Sequence, residues 1–172
     1  MNKLPRSWIL LLLLVPLQGW ALSTDREQPM HIEADRVELD DATGISTYHG
    51  NVKVTQGTMK LTGDLMTIYS ADNEIRKVIV DGEPATYRQR PDNKDEDVHA
   101  RAQRMEYYTE PERIVMLREA QVTQEGNVLR SERIEYDVPR DKVNAGTDQP
   151  DERVHITIQP KTVPERPEPA TP

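Results

Sequence analysis

Gly44-Ile45-Ser46-Thr47-Tyr48-His49-Gly50-Asn51-Val52-Lys53-Val54-Thr55-Gln56 puts Tyr48, Val52 and Val54 on one face of an extended chain, with Lys53 and Thr55 on the other. Gln56-Gly57-Thr58 interrupts the run, and Met59-Lys60-Leu61-Thr62-Gly63 restores the period of two. Past Gly63 the apolar parity changes, to Met66 and Ile68, as a bulge or bend at the glycine requires. These residues read as a half-buried hairpin with one irregular strand.

The same grammar extends along the chain. Strand-like segments cover 75–80, 85–89, 98–108, 114–124, 128–136 and 154–158. Turn residues separate them: Asp40-Asp41-Ala42-Thr43-Gly44, Asp72-Asn73, Asp81-Gly82, Pro91-Asp92-Asn93, Glu110-Pro111 and Pro139-Arg140-Asp141. About nine short strands at regular spacing predict an all-β sandwich, barrel or solenoid with little helix. The best helical candidate, 97–105, reads better as a strand.

The chain also repeats itself. An ungapped slide of 68 positions pairs Ala34, Arg36 and Glu38 with Ala102, Arg104 and Glu106. It also pairs Val54-Thr55-Gln56 with Val122-Thr123-Gln124, and Leu61 with Leu129. Val37/Met105, Met66/Ile134 and Ile75/Val143 are conservative partners at the same offset. A duplicated strand–turn–strand unit, stacked on its copy, is expected.

The two ends differ from this pattern. Residues 1–21 combine a short basic start (Lys3, Arg6), an apolar run too short to span a bilayer, and Gly19 and Ala21 at a cleavage-like site. They are expected to be a cleavable secretory signal peptide. Five of the 13 prolines fall in 160–172, which has almost no large apolar side chain. That tail is expected to be disordered, leaving 22–159 as one domain.

Composition narrows the function. The 172 residues carry a net charge of −8. Removing Lys3 and Arg6 takes the basic residues from 22 to 20 against 30 acidic ones, for −10. With no basic motif legible, a nucleic-acid partner is not expected. With no cysteine there is no disulfide framework, thiolate zinc site, cysteine nucleophile or lipidated N-terminus. His31, His49, His99 and His155 are scattered without metal-ligand spacing. The acidic run 92–97 lacks the ligand positions and glycine of a calcium loop. No nucleophile elbow or phosphate-cradling glycine loop is present, and the nearby pair Glu33/Asp35 is uninformative in a chain this rich in charge. No metal, cofactor or enzymatic activity is expected.

Specific strings give a resemblance. Gln28-Pro29-Met30-His31-Ile32-Glu33-Ala34-Asp35 and Tyr48-x-Gly50-Asn51-Val52-x-Val54-Thr55-Gln56-Gly57 resemble the OstA-like family of lipopolysaccharide-transport domains. Gly82-Glu83-Pro84-Ala85-Thr86-Tyr87, Ala120-x-Val122-x-Gln124, Gly126-Asn127 and Lys142-Val143-Asn144-Ala145 continue the match across 25–159. The resemblance implies an OstA-like open β-jellyroll of stacked antiparallel strands that holds lipid A acyl chains in a hydrophobic groove. It implies a periplasmic lipopolysaccharide carrier of Gram-negative outer-membrane biogenesis, joined strand to strand in a bridge between the two membranes.

On that basis Met30, Ile32, Tyr87, Met105 and Tyr107 are expected to line the groove, with Val52, Val54, Met66 and Ile68 as second choices. The N-terminal edge, 26–34 with Met30 and Ile32, is expected to meet the inner-membrane partner LptC. The C-terminal edge, with Val154, Ile156 and Ile158, is expected to meet the outer-membrane partner LptD or another copy. An LptC-like anchored member of the family, a polysaccharide-cleaving β-solenoid and a lipid-free β filament are the competing readings.

Overall fold

A computed structural model describes residues 24–92, 94–147, 149 and 152–160. The signal-peptide segment and nearly all of the proline-rich tail lie outside the described residues. One 3-10 turn (Thr24–Glu27) precedes ten strands: β1 His31–Glu33, β2 Arg36–Asp40, β3 Ile45–Gln56, β4 Met59–Ala71, β5 Glu74–Gln89, β6 Val98–Thr109, β7 Glu112–Gln124, β8 Asn127–Asp137, β9 Lys142–Ala145 and β10 His155–Thr157. They form a single antiparallel sheet in the order β1-β3-β4-β5-β6-β7-β8-β10, with β2 on β3 and β9 on β8. Nearly every neighbour in this sheet is also a neighbour in sequence, so each strand is set by the turn before it.

A row of irregularities folds the sheet on itself. The register slips between His49 and Val52 (β3–β4), Thr62 and Leu65 (β4–β5), Asp81 and Ala85 (β5–β6), Arg101 and Arg104 (β6–β7), and Leu117 and Ala120 (β7–β8). The slips lie side by side, so every long strand bends at the same level and the sheet becomes two facing limbs meeting at a crease. Limb A holds β1, β10 and the halves of β3–β8 nearest the 56–59, 89–98 and 124–127 turns; limb B holds β2, β9 and the other halves. Small residues occupy the crease. Ala85 pairs with Ala102, Ala120 with Ser131 and Val52 with Gly63, and both alanines of the first pair are fully buried. A Cβ at Gly63 would sit 2.5 Å from Val80 Cγ1 and 2.8 Å from the Asp81 carbonyl oxygen, which is why no side chain stands there.

The duplication is visible in the register. Adding 68 to His31↔Thr55, Arg36↔His49 and Val52↔Gly63 gives His99↔Thr123, Arg104↔Leu117 and Ala120↔Ser131, all of which are observed pairs. Thus β3 and β4 correspond to β7 and β8. The long inner strands β6 and β5 correspond to the two sheet edges, where the strand is broken at the crease into β1 plus β2 and into β9 plus β10.

Three expectations are corrected. Asp81-Gly82 does not reverse the chain: 75–80 and 85–89 belong to one strand, β5, bent by a bulge at that point. Only His31–Glu33 of the expected edge 26–34 is strand, because Thr24–Glu27 is drawn into a 3-10 turn by Asp25. At the far edge, β10 is His155–Thr157, with Val154 and Ile158 flanking it. The bulge at Gly63 and the all-β, helix-poor character are as expected.

Candidate functional site

Between the limbs the inward positions form three apolar ladders that cross the whole sheet. On limb A, successive cross-strand pairs join Ile32, Val54, Leu61, Tyr87, Ala100, Val122, Leu129 and Ile156. On limb B one ladder joins Val37, Tyr48, Met66, Val80, Met105, Met116, Ile134 and Ala145. A second, nearer the limb B tips, joins Leu39, Ser46, Ile68, Val78, Tyr107, Ile114, Tyr136 and Val143. The parity switch at each bulge keeps the apolar side inward on both limbs, so alternation alone produces a continuous two-walled lining.

Burial changes along these ladders. Their middles form the core, with Val54, Met66, Val80, Met105, Met116 and Ile134 buried. Their ends do not close: Val37, Leu39, Val143 and Ile156 are 49, 65, 53 and 65 % exposed. The apolar lining therefore runs out to solvent at both edges of the sheet.

The structure gathers most of the residues singled out from the sequence. Ile32, Val54 and Tyr87 share the limb A ladder; Met66 and Met105 share one limb B ladder, and Ile68 and Tyr107 the other. Val52 sits at the crease, buried. Met30 precedes β1 and is 48 % exposed, outside the core cluster. Val154, Ile156 and Ile158 lie at the C-terminal edge and are exposed. The groove expected from the sequence leaves out Leu61, Val80, Val122, Leu129, Met116 and Ile134, which the ladders include. The repeat offset carried the signal for several, since it maps Val54 onto Val122, Leu61 onto Leu129 and Met66 onto Ile134.

The rim is polar, and interior tyrosines link it to the lining. The Tyr87 hydroxyl donates to Gln89 Oε1, and Gln89 Nε2 donates to Asp25 Oδ2 at 2.9 Å. Burial, then the nearby Asp25 carboxylate, pushes the Tyr87 phenol up to about 12. Asp25 is itself buried and accepts the Thr58 amide at 2.7 Å and the Thr58 hydroxyl at 2.6 Å. On the facing limb Tyr107 donates to Glu112 Oε1 at 3.0 Å, and Tyr136 donates to Asp141 Oδ1 at 3.0 Å. Burial raises both phenols, and the carboxylate each one meets raises it further. Arg26, held on limb A where its carbonyl accepts from Gln56, extends its guanidinium to Glu112 on limb B. One ion pair therefore ties the two limb tips across the mouth.

Two-walled, edge-open and apolar inside, with no three His, Asp or Glu side chains among the described residues placed to hold a metal ion, this is the architecture of an OstA-like transport domain. The comparisons agree. Residues 31–142 match the family model described as LptA/(LptD N-terminal domain) LPS transport protein, and the chain belongs to that family. It is 39 % identical over 167 residues to the lipopolysaccharide export system protein LptH of Pseudomonas aeruginosa, covering 93 % of this chain and 95 % of that one. It is 33 % identical over 152 residues to LptA of Escherichia coli, covering 86 % and 82 %. The crystal structure of the Pseudomonas aeruginosa LptH, described as the LptA homologous periplasmic component of the lipopolysaccharide transport device, superposes with a TM-score of 0.70 over 79 % of this chain and 99 % of that one. Membership ties the chain to lipopolysaccharide transport.

Proposed function

We propose that the interior between the limbs receives the acyl chains of lipid A, and that the protein carries lipopolysaccharide across the periplasm as one unit of a strand-paired bridge. The observation that carries this reading is the continuity of the three ladders, apolar at every position but Ser46 from one sheet edge to the other and exposed only at the ends. A closed core has no reason to leave Leu39, Val143 and Ile156 in water. A trough continued by a neighbour has one. Each buried methylene is worth about 0.8 kcal/mol, so an acyl chain of about a dozen carbons gains on the order of 10 kcal/mol in such a lining. Methionines and tyrosines suit the task, since Met adapts to irregular apolar shapes and Tyr keeps its hydroxyl at the wet rim.

The edges supply the partners. β1 with β2, and β9 with β10, end the sheet and offer unpaired backbone groups to an added strand. In this reading the N-terminal edge meets LptC and the C-terminal edge meets LptD or a second copy. Photocrosslinking to lipopolysaccharide in cells tests the interior. A crosslinker replacing Tyr107, which faces inward, should give lipid adducts; one replacing Tyr69, of opposite parity on the outer face of limb B, should give none. Adducts at both positions would mean a surface contact, and adducts at neither would leave a β scaffold without cargo.

A further inference from the structure

The outer face of limb A carries a charge that the composition conceals. Its two ladders run through Glu33–Lys53–Thr62–Thr86–Arg101–Gln121–Arg130–His155 and through the row containing Lys60, Arg88 and His99. In a chain of net charge −8, these ladders hold five Lys or Arg, three His and a single carboxylate, Glu33. Glu33 lies at the edge, already paired with Lys53 at 3.1 Å. Arg88 reaches Asp97, at the rim, at 3.5 Å. Arg101 and Arg130 both donate to one neutral acceptor, Gln121 Oε1, at 3.1 and 2.9 Å. Among the described residues neither arginine has a carboxylate in ion-pair range, and neither does Lys60; all three are exposed.

This arrangement costs stability. Arg101 and Arg130 start two strand spacings apart, about 10 Å between backbones, yet both guanidiniums close on the one Gln121 oxygen, and at that range, inside a Debye length, they repel. The outer face of limb B solves the same problem internally: Arg104 is paired with Asp81 and Glu106, Lys77 with Glu106, and Arg133 with Glu135. Limb A leaves Lys60, Arg101 and Arg130 without such a pair: Lys60, Arg88, His99, Arg101 and Gln121 line one shallow depression, and Arg101 and Arg130 also border a second that holds Glu119, Glu132 and Glu152. The first depression starts at the rim, beside the Met59 and Gln89 turns, where a lipid seated between the limbs would project its headgroup.

We propose that this outer face of limb A binds the phosphorylated saccharide of lipopolysaccharide, with Lys60, Arg88, Arg101 and Arg130 contacting its phosphates. The inference rests on the reading of the interior as the acyl-chain site and adds a second, electrostatic contact outside it. Contacts of this kind are weak, salt-screened and quickly exchanged, which suits cargo that must move on.

The test uses the full mature chain and a fully deacylated, phosphorylated lipopolysaccharide saccharide, which has no acyl chains to enter the interior. Titration followed by amide NMR should shift resonances around Lys60, Arg88, Arg101 and Arg130, with affinity falling as salt rises. Arg101→Gln/Arg130→Gln should weaken binding roughly three- to tenfold, the range expected for losing two exposed charged contacts. Arg140→Gln, at an exposed tip of limb B, should leave it unchanged, and no variant should melt below the wild type, the double variant gaining whatever the relieved repulsion returns. The dephosphorylated saccharide should not bind. The proposal is overturned if the phosphorylated saccharide does not bind, if binding ignores the double substitution, or if anionic phosphatidylglycerol vesicles bind this face in preference to the saccharide. The Tyr107 crosslink with intact lipid reads the interior alone, so either contact can fail while the other stands.

Discussion

Arg118 and Glu119 hold left-handed backbone, φ 63° and 53°, at the bulge of β7. Their equivalents one repeat earlier are Gly50 and Asn51, φ 75° and 45°, the two residue types that enter this region at least cost. The first copy therefore has the expected residues and the second pays strain of about 1 kcal/mol per position. Arg118 returns little, with one hydrogen bond to Gln103 and a 3.7 Å contact to Asp81 on a half-exposed side chain. Arg118→Gly should raise stability by about 0.5 kcal/mol, net of the entropy lost by glycine, visible as a small rise in melting temperature. The reverse experiment, Gly50→Ala, places a Cβ 2.3 Å from Asp35 Oδ2 and should destabilise by about 1–3 kcal/mol in urea unfolding. Glu106 is the other residue with a sharp consequence. It lies on the outer face of limb B between Ile79 and Val115, and burial opposes its ionisation. Hydrogen bonds from Tyr108 and Arg104 and the Lys77 charge outweigh that, bringing its carboxyl down to about 2. A carboxyl lowered in the folded state adds stability above its ordinary range, near 4.5, and loses that contribution as pH falls toward 2. Urea midpoints should drop over this interval in the wild type and drop less in Glu106→Gln.

At the scale of elements, strand identity was legible and strand bending was not. Alternation identified β3, β4, β6, β7 and β8 because each has one apolar side per limb. Gly63 announced its bulge by flipping that alternation within a few residues. The bulge in β5 lies at Asp81-Gly82-Glu83-Pro84, which has the chemistry of a reversing turn, so one strand looked like two. In β7 the bulge residues are Arg118 and Glu119, which give no turn signal at all. Of the short edge strands, β1 and β10 fall inside the segments 26–34 and 154–158 legible in the sequence, whereas β2 and β9 escaped; β2 is exposed at every residue, leaving no burial pattern for its alternation to express. The crease itself was invisible, since alanine and serine read as filler until the register aligns them. Ala85 and Ala102 face each other there, each fully buried. Ala102→Leu should force the limbs apart and cost about 1–3 kcal/mol, with a larger loss than the same change at exposed Ala71; equal losses would mean the crease tolerates added volume.

For the whole molecule, the duplication links fold to assembly. Two copies of a four-rank unit stack with the register pairs of the first unit recurring in the second, so the junction between β5 and β6 shows how one unit accepts the next. There β5 and β6 are continuous and pair over both limbs. At the two outer edges the corresponding strands are split at the crease and the ladder ends stay exposed. An end-to-end contact between copies would repeat the internal junction, extending the ladders from Val143 and Ile156 of one molecule toward Leu39 and Ile32 of the next. Charge at the ladder ends should block this without harming the fold, because substitutions at exposed sites usually change stability by less than about 0.5 kcal/mol. In sedimentation velocity the wild-type chain should show a weight-average mass that climbs with concentration. Leu39→Glu and Val143→Glu should each hold the protein at monomer mass, with unchanged melting, since each removes one of the two complementary ends. A mixture of the two variants should recover dimers and nothing larger, through the one intact pair of ends left between them. Assembly of either variant alone to wild-type size would place the contact elsewhere on the surface.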